Sequence, residues 1–245
     1  MRYLMTFSYD GTNYNGYQKQ PNKNTIQDQI ESALLKIFGK EIKIHASGRT
    51  DAKVHALNQK AHFDLDKEMD LYKLKKSINS LINKDLYIKE IKQVPDDFHA
   101  RFNVVEKTYI YKLNVGCYDP INRNYIYQYN KKLDINSMKK ATKYLIGIHN
   151  FKAFTKTDVE KDDYIRNIYS IDLEKDNDLL TLTFKGNGFL RYMVRNIVGT
   201  LIQVGENKLK IEDISHIIES EDRSKAGKTA NPEGLYLKDV KYDIK

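Results

Sequence analysis

Apolar residues recur along this chain at two spacings, which together predict a mixture of strands and helices. Short or alternating apolar runs at residues 2–9, 57–65 and 86–94 predict three strands in the first part of the chain. Apolar residues three or four apart predict two amphipathic helices, one beginning at Thr25 and one at Leu71. The first part of the chain is therefore predicted to alternate strands with helices.

The local sequence around these elements adds detail. Thr25, with Asp28 three residues later, is a variant of the capping box, and Gly39 marks the end of the first helix. Ile42–Ile44 alternates like a short strand, and a polar loop separates it from the next strand. This loop contains Asp51, and two strands are expected to hold it in place.

A second series of elements is predicted from residue 105 onwards. Its strands are 109–115, 168–173, 179–184 and 235–242, and its helices are 134–146, 189–204 and 211–219. The strand, helix, strand, strand, helix, strand order of the first part resembles a ferredoxin-like or RNA-recognition-type unit. We predict an α+β fold with two such halves, 1–104 and 105–245. They would share a mixed, mainly antiparallel sheet, with helices packed on it and a central cleft.

Composition narrows the class of protein. The 245 residues have a formal charge of +8, which favours a polyanionic partner, although an excess of lysine could also be a general compositional bias. The single cysteine, Cys117, excludes an internal disulfide framework and a multi-cysteine zinc site. Apolar runs are too short to span a bilayer and no signal peptide precedes the first strand, so a cytoplasmic protein without membrane contact is expected.

The loop around Asp51 is the strongest candidate for chemistry. From spacing alone, Arg49 and Asp51 could equally be a structural ion pair in a turn that Gly48 permits. The residue types of the loop, in their particular order, favour a functional role. Residues 48–52 (GRTDA) and 54–56 (VHA) closely resemble the signature of the TruA family of tRNA pseudouridine synthases.

Further segments match the same family in its order along the chain. They are residues 9–11 (YDG) and 16–18 (GYQ), 98–102 (FHARF) followed by 107–111 (KTYIY), 192–199 (YMVRNIVG), and 234–237 (GLYL). One departure is Lys53, where the family usually has glycine. If this position needs a positive φ, lysine would cost about 1 kcal/mol.

The resemblance implies a role for each matched residue. Asp51 would be the catalytic nucleophile, Arg195 its ion-pair partner, and Arg49 the residue that occupies the space of a flipped base. Tyr109 would lie against the target base. The other substrate-binding residues would be Lys107, Tyr111 and Leu235. From pattern alone, the tyrosines could instead be packed in a half-buried sheet, and Arg195 could extend to the surface.

The resemblance also implies the reaction. Uridine would become pseudouridine in the anticodon stem-loop of tRNA, at positions 38 to 40, on a homodimeric enzyme that uses base flipping. The composition of the base is unchanged, so no cofactor or metal is needed. Accordingly, the sequence has no glycine-rich phosphate loop, no HExxH motif and no Cys/His cluster, and its six histidines are scattered. Whether Asp51 adds to the base or stabilises the sugar carbon stays open.

Two other classes of function fit part of the sequence. A non-catalytic RNA-binding module explains the basic charge and tyrosines equally well, but a carboxylate in its cleft would repel phosphate. A glycosidic-bond hydrolase normally uses two carboxylates, and no second acid accompanies Asp51 in the matched segments.

Overall fold

The protein is represented by a computed structural model that describes residues 1–156 and 163–243. Its strands are Arg2–Tyr9 (β1), His45–Ala46 (β2), His55–Asp64 (β3), Leu86–Val94 (β4), Val104–Asn114 (β5), Tyr127–Gln128 (β6), Gly147–Asn150 (β7), Ile165–Asp176 (β8), Leu179–Gly186 (β9) and Leu235–Tyr242 (β10). Its α-helices are Ile26–Phe38 (α1), Leu71–Leu81 (α2), Ile135–Thr142 (α3), Met193–Gly205 (α4) and Asp213–Ser220 (α5). Antiparallel pairing predominates, which confirms the α+β class with a mainly antiparallel sheet.

The chain divides into two compact units. Unit 1 consists of Met1–Val105 together with Tyr236–Lys245, and unit 2 consists of Glu106–Leu235. The sequence interpretation had grouped β10 with the second half of the chain. In the structure β10 pairs in parallel with β3, with Tyr236 opposite His55. No helix in the described part of the chain has the length and apolar character needed to cross a membrane.

In unit 1, β3 is the strand on which the others are assembled. β1 pairs antiparallel with both β3 and β4. The other edge of β3 is shared, because β2 pairs with Ala61 and His62 while β10 pairs with the beginning of the strand. The apolar stripe of α1 is buried, as its spacing predicts. The loop that contains Asp51 therefore leaves β2 and enters β3, which pairs with three other strands.

Two sequence predictions in unit 1 are wrong in detail. Thr25 occupies the N-cap of α1, but its side chain makes no capping hydrogen bond. The Asp28 carboxylate lies 2.9 Å from the ammonium group of Lys19. Residues 42–44 form no strand, and the two-residue strand β2 begins at His45 instead.

In unit 2, β5, β9, β8 and β7 form a run of antiparallel strands. The β8–β9 hairpin turns at Asn177, whose φ of +51° is a conformation that asparagine tolerates. The long helix α4 begins at Met193, not at residue 189 as predicted, because Tyr192 has a left-handed backbone with φ +63°. The helix predicted at 134–146 ends at Thr142 and continues as one short 3₁₀ turn.

Candidate active site

The Asp51 loop is attached at its beginning to the buried side chain of Gln59 on β3. The Ser47 hydroxyl donates to Gln59 Oε1 at 2.7 Å, and Gln59 Nε2 donates to the Gly48 carbonyl at 3.1 Å. Gln59 is fully buried, and its bond with Ser47 is shielded from water, whereas its bond with Gly48 is partly buried. The chain is therefore fixed immediately before Arg49 and Asp51.

The same loop is held on its other side by the segment that follows β1. The backbone amide of Tyr17 donates to Thr50 O at 3.1 Å, and that of Lys53 donates to Tyr14 O at 3.3 Å. Gly16 makes this close approach possible. It has φ +97°, and a Cβ atom there would lie 2.9 Å from Thr50 O. The matched segments at 9–18 and 48–56 are thus two parts of one structure.

Two buried side chains complete this attachment. The hydroxyl groups of Tyr9 and Thr50 are 2.8 Å apart, and burial raises the pKa of Tyr9 to about 12, so its hydroxyl stays protonated. His55 Nδ1 accepts the Gly11 amide at 3.1 Å and lies 3.2 Å from the Asp10 carboxylate. The His55 ring stacks on Tyr236 with centroids 4.6 Å apart.

At the tip of the loop, the Asp51 side chain is half-buried and Arg49 is exposed. The Val54 amide donates to Asp51 O at 3.2 Å and closes a turn. The sequence interpretation placed the sharp bend at Gly48, but the left-handed residue of this loop is Lys53, with φ +65°. The one departure from the family signature therefore lies at a position that favours glycine.

In unit 2, the predicted substrate-binding residues begin on β5. Tyr109 is buried, and its ring meets Phe189 edge-on at 5.2 Å. Lys107 is half-buried opposite Gly186 on β9. Tyr111 is completely buried, and its hydroxyl donates to Asn231 O at 2.7 Å. Tyr111 thus holds β5 against residue 231, and its contact with substrate stays a prediction.

Arg195 is fixed by the segment that leads to β10. Its Nε donates to Ala230 O at 2.8 Å, and the Ala230 amide donates back to Arg195 O at 3.1 Å. The guanidinium group lies 5.2 Å from the centre of the Tyr192 ring. The side chain is thus half-buried and positioned by hydrogen bonds, not simply extended into solvent. Leu235, at the end of the same segment, is buried.

The predicted site residues fall into two groups. Arg49 and Asp51 share one loop in unit 1, whereas the remaining residues lie in unit 2. The Asp51–Arg195 ion pair joins residues of different units and stays a prediction. Sequence reasoning missed Gln59, although its place among buried residues of an alternating strand was a usable signal.

Three of the six histidines, although scattered along the sequence, lie together in the structure. The rings of His45, His62 and His99 are neighbours in unit 1, with centroids 4.6 to 6.0 Å apart. Within residues 1–156 and 163–243, no group of three or more His, Cys, Asp or Glu side chains is arranged to hold a metal ion.

Comparisons with known proteins give consistent results. The sequence model of a family described as tRNA pseudouridine synthase matches residues 5–103 and 141–243. A protein of Caldicellulosiruptor bescii named tRNA pseudouridine synthase A is 46% identical over 240 residues, covering 98% of each chain. One from Clostridium tetani, tRNA pseudouridine synthase A 2, is 47% identical over 238 residues and 96% of each chain.

A third relative and one solved structure are also similar. The tRNA pseudouridine synthase A of a Geobacillus species is 44% identical over 244 residues, covering 99% of this chain and 98% of its own. A chain of a solved Cbf5-Nop10-Gar1 complex is 12% identical, with a TM-score of 0.34. That match covers 81% of this chain and 54% of the other.

Proposed function

The chain belongs to the tRNA pseudouridine synthase family, and from that membership we propose that it isomerises uridine to pseudouridine in tRNA. We place the target uridines in the anticodon stem-loop, as the resemblance of its signature implies. The observation that carries the proposal is the half-buried carboxylate of Asp51 within the family signature. Gln59 holds this loop on one side and residues 14–17 hold it on the other. A carboxylate fixed before the substrate arrives loses little entropy on reaction.

The reaction breaks the bond between C1′ and N1 of uridine, turns the base and joins C1′ to C5. The proton that leaves C5 is balanced by one gained at N1. We assign Asp51 as the nucleophile, which either adds to the base or stabilises the positively charged sugar carbon. Any bond formed to Asp51 breaks again before pseudouridine is released. We assign Tyr109 to the face of the target base. Lys107, Tyr111 and Leu235 belong to the same proposed substrate-binding set.

We assign Arg49 to the flipping step. A base within a stem-loop must leave its stack before its C1′ atom becomes accessible, and a side chain can occupy the vacated space. Arg49 is exposed on the same loop as Asp51, two residues away, and its planar cation can stack on neighbouring bases.

We assign Arg195 as the ion-pair partner that keeps Asp51 charged. Its guanidinium is already oriented by Ala230 and Tyr192, which supports a positioning role. Arg195→Met should lower turnover strongly, whereas Arg195→Lys should retain more of it. If the pair is buried, losing the arginine should also cost about 3–5 kcal/mol of stability. A fully active Arg195→Met enzyme would contradict this role.

Purified protein incubated with a tRNA transcript and no additive should form pseudouridine, detected chemically. Asp51→Asn should abolish turnover while tRNA affinity stays within a few-fold of the parent protein. The matched control, Asp176→Asn, removes an exposed carboxylate at the β8–β9 turn and should leave turnover unchanged. Binding without product in the parent protein would favour an RNA-binding module. Release of free uracil would favour a hydrolase.

We also propose that the protein acts as a homodimer, with one tRNA reaching across both subunits, as the resemblance implies. Light scattering at micromolar concentration should give twice the 28.7 kDa mass of one chain. A monomeric mass would contradict the proposal.

A further inference from the structure

The matched segment at residues 98–102 has no role in the reaction just described, yet it presents an unusual surface. Phe98 and Ala100 are buried, whereas Arg101 and Phe102 face the solvent. The Phe102 side chain is 74% exposed. A single exposed phenylalanine is ordinary on a protein surface. The fixed backbone beneath Phe102 and the ring and cation beside it are what distinguish this one.

The backbone of this segment is fixed, so the exposure of Phe102 is imposed by the fold. The Ala100 amide donates to His62 Nδ1 at 3.1 Å, and Ala100 O accepts the Tyr242 hydroxyl at 2.7 Å. The Phe98 ring packs edge-on against Tyr242 at 4.9 Å. The next turn is closed by Asn103, whose Oδ1 accepts the His99 amide at 2.6 Å. A rigid support of this kind presents a side chain at low entropic cost to a ligand.

The neighbours of Phe102 are planar or cationic. The His99 ring stacks on it with centroids 4.3 Å apart and planes 29° apart. The Arg101 guanidinium lies 5.8 Å from its centre. Within the described residues, Arg101 makes no salt bridge with a carboxylate. The ring of His45 continues the row at 6.0 Å from His99.

The cation beside the Phe102 ring is the Arg101 guanidinium. Burial is the main cause that lowers the pKa of His99, so the His99 ring is mainly neutral at pH 7 and meets Phe102 as an aromatic face. The nearby carboxylate of Asp64 is already bound by Arg2, at 2.8 Å. An exposed aromatic ring with a guanidinium 5.8 Å from its centre suits a base attached to a phosphate chain better than it suits an apolar protein surface.

We propose that Phe102, supported by His99, is a stacking platform for an unpaired nucleobase of the RNA substrate, and that Arg101 contacts an adjacent phosphate. This inference rests on the proposed function, because it names a contact with the same tRNA. Nucleobases stack on aromatic side chains whatever their identity, so the platform adds affinity and orientation, not sequence preference. A second copy of this chain is the less suitable occupant, since an imidazole ring and a guanidinium group lie beside Phe102.

The test compares Phe102→Leu with Phe102→Trp in tRNA binding and in pseudouridine formation. Leucine keeps apolar volume but has no face for stacking, so it should weaken tRNA binding by about tenfold or more and raise KM more than it lowers kcat. Tryptophan should keep binding within about twofold. The matched control is Tyr72→Leu, because Tyr72 is 69% exposed on α2 and lies 5.9 Å from Lys75. It should bind tRNA like the parent protein.

Arg101→Gln is the second variant, and it should reduce the salt dependence of binding by about one phosphate contact. If the parent protein forms pseudouridine and Phe102→Leu binds tRNA normally, the platform is refuted while the proposed function stands. If the parent protein binds tRNA without forming product, the proposed function is refuted. The tRNA affinities of Phe102→Leu and Phe102→Trp then still test whether Phe102 is a stacking platform. A change of molar mass in Phe102→Leu, with normal tRNA affinity, would show a second copy as the occupant.

Discussion

At the residue scale, Lys53 has a backbone conformation that usually belongs to glycine. Its φ is +65°, its side chain is exposed, and it follows Asp51 by two residues. A left-handed conformation costs a residue with a Cβ atom about 1 kcal/mol relative to glycine. Lys53→Gly should therefore stabilise the protein by about 0.5–1 kcal/mol, the gain being reduced by the greater freedom of glycine in the unfolded chain.

Urea unfolding measures this gain. The matched control is Ala52→Gly, at the neighbouring exposed position without a positive φ, which should destabilise the protein. An equal loss of stability in Lys53→Gly and Ala52→Gly would show that the loop accommodates lysine without strain. Pseudouridine formation by Lys53→Gly would further show whether the extra cation beside Asp51 influences turnover.

His62 provides a prediction about pH. Burial, followed by the charges of Arg2, His99 and His45, lowers its pKa from 6.5 to about 4. In the unfolded chain the imidazole takes up a proton near pH 6.5, whereas in the folded protein it stays neutral until about pH 4. This contribution to stability is therefore complete above pH 6.5 and is lost as the pH falls towards 4. The loss should reach about 2–3 kcal/mol.

Urea unfolding at pH 7.5 and at pH 4.5 tests this effect. In His62→Gln, the amide oxygen can still accept the Ala100 amide, but the side chain does not titrate. The difference in stability between the two pH values should shrink by about 2 kcal/mol. The control is His216→Gln, an exposed histidine on α5, in which the difference should be unchanged. An unaltered pH dependence in His62→Gln would assign the effect to other groups.

The residues of the candidate site were predictable only in part. The resemblance of the motifs pointed to Asp51, Arg49 and Arg195 as candidates, and their roles stay predictions. It did not locate their supports, such as the Ala230 carbonyl that accepts from Arg195. Such contacts join positions far apart in sequence, so the spacing of apolar and polar residues within one element does not reveal them. Gln59 was missed as well, although a polar residue on the buried side of a strand needs partners and was therefore predictable.

At the element scale, α4 depends on a glycine for its packing. A Cβ atom at Gly199 would lie 1.7 Å from Lys228 O, in the segment that also bonds to Arg195. Helix propensity alone predicts that Gly199→Ala stabilises α4 by about 1 kcal/mol. The contact predicts the opposite sign, because the segment near residue 228 must move. We expect a net loss of about 1–3 kcal/mol and lower turnover.

Thermal and urea unfolding decide between these signs. Gln203→Ala, at a half-buried position of the same helix, is the control and should change stability by less than about 0.5 kcal/mol. Increased stability of Gly199→Ala would show that the segment near residue 228 moves at little energetic cost. Turnover measured in parallel reports whether Arg195 remains in position.

Most elements were predictable because their apolar residues repeat at a regular spacing over many residues. β1, β4 and β10 have the limits that alternation predicts. The errors occurred where a local signal competed with a contact. Asp28 is a plausible capping residue, but Lys19 binds its carboxylate. The beginning of α4 was missed because the apolar pattern continues through Tyr192, while the backbone there is left-handed.

At the scale of the whole molecule, pattern and composition predicted the α+β class and a polyanionic partner. The arrangement as two ferredoxin-like halves with a central cleft stays a prediction. β10 shows what pattern cannot supply: alternation finds a strand, but the choice of its neighbour depends on long-range pairing. Here that neighbour in unit 1 is β3. Charge likewise predicts attraction to RNA without saying which face is used.

Salt dependence tests whether the charge of +8 serves binding. Five lysines near α3 are exposed: Lys131, Lys132, Lys139, Lys140 and Lys143. Each phosphate contact releases counterions, so affinity for tRNA should fall steeply with salt. Replacing Lys139 and Lys140 by alanine should weaken binding and reduce the log–log slope by about 1–2. The control replaces Lys73 and Lys76, two exposed lysines of α2, and should have the smaller effect. Equal effects of the two double replacements would show that binding depends on the overall charge and not on the surface near α3. An affinity independent of salt would show that the lysines reflect composition and do not contact phosphate.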